Sequence, residues 1–123
     1  MKLSHYGDIT SYVTRDGSVI RELMHPGQHG CRLQSLAEAS VPVGTKTKLH
    51  RHLETEELYH ITSGKGWMTL DNREFEVIQG DTVCIDPGTF HCIENRGQEV
   101  LKILCCCSPP YEHNDTHLEN HGD

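Results

Sequence analysis

The stretch that decides the fold runs from Gly44 to Gly64, GTKTKLHRHLETEELYHITSG. His50 and His52 stand two apart. On a β-strand, residues i and i+2 point to one face, about 6.6–7 Å apart along the chain, so two imidazoles can converge on one ion. Arg51 points the other way. Residues 53–56 are short and polar and let the chain turn back. Glu57 then opens a returning strand and brings a carboxylate oxygen to the same place. Two histidines and a carboxylate are the facial set that suits non-haem iron, with open positions left for substrate or oxygen.

A second stretch, Gly80 to Asn95, GDTVCIDPGTFHCIEN, offers a fourth donor. His91 begins a strand just after the Pro87–Gly88 turn, where a side chain is left at the rim of a β-structure and faces in. The ligand set read from the chain is therefore His50, His52, Glu57 and His91. Histidine makes up 10 of the 123 residues. In such a chain an H-x-H pair alone also arises as a solvated or core-lining feature. The flanking glycines and the second stretch are what raise this pair above that reading.

Around these stretches the chain reads as short strands divided by turns. Asp16–Gly17 is a tight-turn pair ahead of a strand over 18–23. Apolar and small residues alternate from Cys31 to Val41, and Pro42 and Gly44 break that strand. Further strands are predicted over 45–52, 57–62, 67–70, 73–78, 82–86, 89–95 and 100–107. Asp71–Asn72 fits a two-residue hairpin loop. Roughly eight to ten strands, spaced by about 8–12 residues, form the pattern of a sandwich or barrel. The one helix candidate follows Asp115.

Composition bounds the rest. A chain of 123 residues is one domain. Its 11 basic and 18 acidic residues leave a net charge of −7. With no lysine–arginine cluster, this argues against nucleic acid and against an anionic membrane as partner. No apolar run approaches the ~18 residues of a membrane span. Met1 to Asp8 hold no apolar signal core, so a cytoplasmic setting is expected. The cysteines at 31, 84, 92, 105, 106 and 107 read as reduced thiols. Adjacent cysteines do not pair without strain, and no C-x-x-C occurs.

The two quoted stretches resemble the signature motifs of the cupin superfamily. The first motif is a glycine, five residues, H-x-H, three or four residues, a glutamate, six residues and a glycine. Gly44, His50, His52, Glu57 and Gly64 fill every fixed position. In the second, Gly80, Gly88, His91 and Asn95 match, while Asp86 stands at the first proline position with Pro87 beside it. The resemblance implies an all-β, antiparallel jelly-roll barrel (a double-stranded β-helix) in a single domain. Its N-terminal strands and arm would span 1–30, its barrel core 31–108 and its tail 109–123. It implies one divalent transition metal per chain, iron, manganese, zinc, nickel or copper, held inside near one mouth. It also implies a homodimer. The function it suggests is a metal-dependent enzyme on a small polar organic molecule, with dioxygenation or related redox chemistry first. A sugar isomerase, decarboxylase or lyase is one alternative, and a non-catalytic binding or sensor module is another.

Further candidates surround the pocket. Tyr59 shares the parity of Glu57 and is a candidate acid or hydrogen-bond donor, set against a buried tyrosine bonded to nearby backbone. Lys48 shares the parity of His50 and is a candidate for an anionic substrate, set against a lysine that snorkels to water. Cys105 and Cys107 alternate inward on the last strand as a soft or redox-sensitive pair, set against plain packing. Tyr111 and His113 are candidates for a lid over the mouth, set against a loose polar tail. His113, His117 and His121 are spaced by four and would align on one helix face.

Overall fold

The computed structural model describes residues 1–119. Eleven strands run in chain order among them. They are β1 (Tyr12–Val13), β2 (Val19–Met24), β3 (Ser35–Val41), β4 (His50–His52), β5 (Glu56–Ser63) and β6 (Lys65–Leu70). After these come β7 (Arg73–Ile78), β8 (Thr82–Ile85), β9 (His91–Glu94), β10 (Leu101–Ser108) and β11 (Thr116–Leu118). A four-residue helix, Pro26–His29, and two 3-10 turns complete the described structure.

The strands make two antiparallel sheets. One has the order β1-β2-β3-β10-β5-β8, the other β11-β4-β9-β6-β7. Their ladders do not close into a continuous barrel, so the expected jelly roll is a two-sheet sandwich. Its inner faces share one core, in which Val41, Ile61, Leu101 and Ile103 of the first sheet meet Met68, Val77 and Ile93 of the second. The sheets approach closely at Gly66. A Cβ there would lie 2.9 Å from the side chains of both Ile93 and Leu101.

The register of the six-stranded sheet sorts the interior into two ends. Reading across β3, β10 and β5, the inward rows are Ser35–Cys107–Glu57, Ala37–Cys105–Tyr59 and Ala39–Ile103–Ile61, and Val41 faces Leu101 beyond them. One end is filled by branched apolar side chains. The other carries small residues, serine, alanine and cysteine, which leave room between the sheets. The alternation that buries a strand face thus also places a cavity at one end.

Several sequence expectations are corrected. The strand expected from Cys31 starts at Ser35. The four residues before it do not alternate, and Leu33 lies 73% exposed. Of the strand expected over 45–52, only 50–52 forms. Thr47 turns inward and exchanges hydrogen bonds with Ile93, which breaks the period of two. The helix expected after Asp115 is the strand β11, whose backbone pairs with β4. The alignment of His113, His117 and His121 therefore does not form over 113–118, and His121 lies outside the described residues. No helix among the described residues is long and apolar enough to cross a membrane.

Candidate metal centre and its cavity

His50 and His91 are direct partners across β4 and β9, so their side chains share a face. Their ring centroids lie 4.2 Å apart. His52, two residues on, adds a third ring at 5.2 Å from His50 and 5.4 Å from His91. The donor atoms of the three all fall within 4.8 Å of one another. Glu57 enters from the opposite sheet. Its Oε1 lies 3.4 Å from His52 Nε2 and 3.5 Å from His91 Nε2. All four residues are buried, His91 completely. The structure thus brings together the four residues singled out as ligands.

The outer ring nitrogens decide which way the inner ones face. His50 Nδ1 donates to the Lys48 carbonyl at 2.7 Å, His91 Nδ1 to Thr89 at 3.0 Å, and His52 Nδ1 to Asp115 at 3.2 Å. A carbonyl only accepts, so each Nδ1 carries a proton and each neutral ring offers a lone pair at Nε2. Those lone pairs meet carboxylate oxygens, acceptor against acceptor. Glu57 Oε1 and His91 Nε2 are buried with no hydrogen-bond partner. Such a cluster is unfavourable unless a cation joins it. Donors held at about 2.1 Å from one small ion lie about 3.0–3.5 Å apart, the spacing seen around Glu57. The residues present therefore fit a divalent transition ion, and the carbonyl partners are of the kind that orients histidines in metal sites.

Without an ion, protons meet part of this charge. Burial would raise the Glu57 carboxyl, but His52 and His91 outweigh it and hold it well below the usual carboxylate range. Burial pulls His52 down, yet Glu57 and Asp115 raise it overall. Burial, with His91 beside it, pushes His50 down to about 4.

A cavity of about 40 Å³, room for a few water-sized atoms, opens onto this cluster. His50, His52 and Glu57 line one side, and Tyr59, Cys105, Cys107 and Tyr111 line it further. Tyr59 is 7% exposed and meets His91 edge-on at 5.9 Å. Burial and Glu57 push its phenol well above 10, so it can donate a proton or hydrogen bond and does not serve as a base. Burial and Glu57 likewise raise both thiols, which stay protonated and stand outside the ligand cluster. Tyr111 exchanges a hydrogen bond with Thr14 and sits 5.7 Å from the His52 ring, so it closes part of the mouth.

Two candidates stand elsewhere. Lys48 is exposed and does not line the cavity, because the irregular backbone over 45–49 sends Thr47 inward in its place. His113 lines an outer cleft with Tyr12, Glu22 and His25, its ring against Tyr111. Two acids were missed. Asp16, read only as a turn residue, places Oδ2 3.5 Å from His50 Nε2. Glu22 is 5% exposed and lines the cavity. Its signal was present in the alternation Ser18, Ile20, Glu22, which carries an acid onto an inward face.

A family profile described as "Cupin domain" matches residues 37–107. The chain belongs to the cupin family. A protein of Methanocaldococcus jannaschii, described as uncharacterised, is 56% identical over 115 residues, covering 94% of this cupin and 92% of that protein. An oxalate-binding protein of Thermotoga maritima is 30% identical over 84 residues, 68% of this chain and 65% of its own length. Among solved structures, the polyketide cyclase RemF of Streptomyces resistomycificus superposes with a TM-score of 0.82 at 21% identity. That match covers all of this cupin and 88% of the cyclase, and at such identity it speaks for the fold alone.

Proposed function

We propose that this cupin is a mononuclear metal-dependent enzyme acting on a small polar organic molecule held in the cavity. One observation carries the reading: the donor atoms of His50, His52 and His91 converge, buried, beside the Glu57 carboxylate, and Glu57 Oε1 and His91 Nε2 are left there with no hydrogen-bond partner. One divalent ion of iron, manganese, zinc, nickel or copper would be held by His50, His52, His91 and Glu57. Bound there, such an ion supplies Lewis acidity and, where it is redox-active, dioxygen chemistry. The chain's own groups then divide the remaining work. Tyr59 offers a proton or hydrogen bond from the Cys105 row. Asp16 offers an acceptor oxygen beside His50. Tyr111, closing part of the mouth, limits the access of bulk water.

Dioxygenation or related redox chemistry is the first reaction class of this reading. Isomerase, lyase or decarboxylase chemistry is the second, and Asp16 favours it, because a carboxylate beside the ligand cluster suits proton abstraction. The name of the Thermotoga relative adds a binding module as a further reading. Protein purified without a histidine tag is expected to carry about one transition ion per chain by elemental analysis. Anaerobic loading with ferrous iron, followed by oxygen measurement with diketones, phenols and hydroxy acids, tests the redox class. Proton exchange at carbon, followed by NMR on the same compounds, tests the second. An ion without turnover in either assay favours the module. A homodimer in the cytoplasm completes the proposal, and light scattering on the purified protein tests its dimeric part.

A further inference from the structure

The cavity is acidic beyond what its ion needs. Besides Glu57, two more carboxylates line it, Asp16 and Glu22, and among the described residues no lysine or arginine does. As anions, the three together outweigh a divalent ion by one charge. Glu22 is built into place. It pairs with Ala37 across the β2–β3 ladder, and an irregularity in that register follows it directly, between Glu22 and Met24. Such bulges re-aim the side chains beside them. Its Oε1 accepts a hydrogen bond from Tyr12 at 2.6 Å, and its Oε2 is buried with no hydrogen-bond partner. Across the sheet, Glu22 and Tyr59 belong to one cross-strand row, with Ala37 and Cys105 between them. That is roughly 14 Å of sheet floor at about 4.8 Å per strand. Tyr12, Glu22 and Tyr111 also line the outer cleft with His25, Gln28, Glu112 and His113. They form the wall between cleft and cavity.

Resting on the metal reading above, we infer that Glu22 is a specificity-determining residue at the cavity entrance. It selects an uncharged ligand that binds the ion through one end and donates a hydroxyl hydrogen to the Glu22 carboxylate from the other. The same charge rejects dicarboxylates, so oxalate is a poor ligand for this chain. A buried carboxylate oxygen without a donor is costly, and a ligand hydroxyl relieves it, whereas a second anion adds to the repulsion.

The test compares two three-carbon probes, neutral dihydroxyacetone and the dianion malonate. Each is titrated by calorimetry into manganese-loaded wild type and the Glu22→Gln variant, which keeps the side-chain shape and an acceptor for Tyr12. Thermal shifts are read with both probes on EDTA-treated protein as well. The ratio of dihydroxyacetone to malonate affinity is expected to fall about ten-fold or more in Glu22→Gln, since a hydrogen bond to a charged group is roughly twice as strong as a neutral one and the repulsion is lifted as well. A ratio that stays put or rises overturns the proposal. Tyr12→Phe, which removes the hydrogen bond but leaves the carboxylate, is expected to keep the wild-type preference. If it loses the preference as fully as Glu22→Gln, the carboxylate is not the selector. Native mass spectrometry on the same samples separates the two readings. No bound manganese, together with a Glu22-dependent preference in the EDTA-treated protein, overturns the metal centre and leaves the role of Glu22 standing.

Discussion

Cys107 donates its thiol hydrogen to Oε2 of Glu57 at 3.4 Å, so the carboxylate is gripped at one oxygen while the other faces His52 and His91. The two residues are cross-strand partners in β10 and β5. The sheet register itself therefore sets the donor beside the acid it orients.

That pairing makes a graded prediction. Cys107→Ser keeps a donor and is expected to hold the ion nearly as well as wild type. Cys107→Val removes the donor and is expected to weaken ion affinity about ten-fold, the scale of losing an outer contact to a ligand. Competition with a fluorescent chelator measures both. Equal affinities in the two variants would remove Cys107 from the site.

Changing the proposed ligand itself should cost more. Glu57→Gln is expected to lower ion affinity by at least ~100-fold, beyond the usual penalty for an outer partner. The far-UV circular dichroism should stay unchanged, because the core of Ile61, Met68, Ile93, Leu101 and Ile103 lies at the other end of the sandwich. Full ion occupancy in this variant would mean that Glu57 is not a ligand.

The histidines give the ion-free protein a pH dependence whose sign can be worked out. His50 is pushed from 6.5 down to about 4, so the unfolded chain takes up its proton first. Its contribution to stability is present above about 6.5 and is lost as pH falls towards the folded value. His52 is shifted upward, so its contribution is present below about 6.5 and is lost as pH rises through its folded pKa. The melting temperature of EDTA-treated protein should therefore drop between pH 6.5 and 4, and less so in His50→Gln. An equally steep drop in that variant would assign the acid sensitivity to other groups.

Asn95 is a structural member of its motif. Its side chain is 1% exposed, donates to the carbonyls of Val41 and Glu99, and accepts from the Gly97 amide. Asn95→Ala strands these buried groups and is expected to cost about 2–4 kcal/mol in urea unfolding. Ion affinity measured on the folded fraction should hardly change. A loss of affinity with stability intact would move Asn95 into the site.

The parts of this molecule that could be read from the chain are those where a period of two persists. Glu57, Tyr59 and Ile61 are buried in alternation, as are Leu101, Ile103, Cys105 and Cys107, and the hairpin at Asp71–Asn72 joins the strands expected of it. The motif spacing placed the histidines because it encodes turns as well as strands. Gly64 has φ of +84°, and a Cβ there would come within 3.0 Å of the Val100 carbonyl, so that position tolerates little else. The reading failed where the period breaks. The parity that links Lys48 to His50 runs through a segment that is not a strand. Strand β11 has only three residues and takes its hydrogen bonds from β4, so nothing local announces it. Asp16 and Glu22 lie outside the motifs. The alternation Ser18, Ile20, Glu22 puts one acid on an inward face, but that this face meets the cavity depends on the pairing of β2 with β3, and Asp16 reaches it through the turn over residues 14–18, contacts that no local pattern records.

The flanking of β4 bears on how the protein is made. Thr116 pairs with His52 and Leu118 with His50, while Asp115 accepts from the amides of Leu53 and Glu54. Thr116 and His52 are 64 residues apart. A nascent chain halted before that point would expose the histidine strand as a raw edge, open to intermolecular pairing and to stray ions. Loading with the proper ion would then have to wait until translation has passed residue 118, which makes C-terminal truncation a hazard for solubility as much as for chemistry.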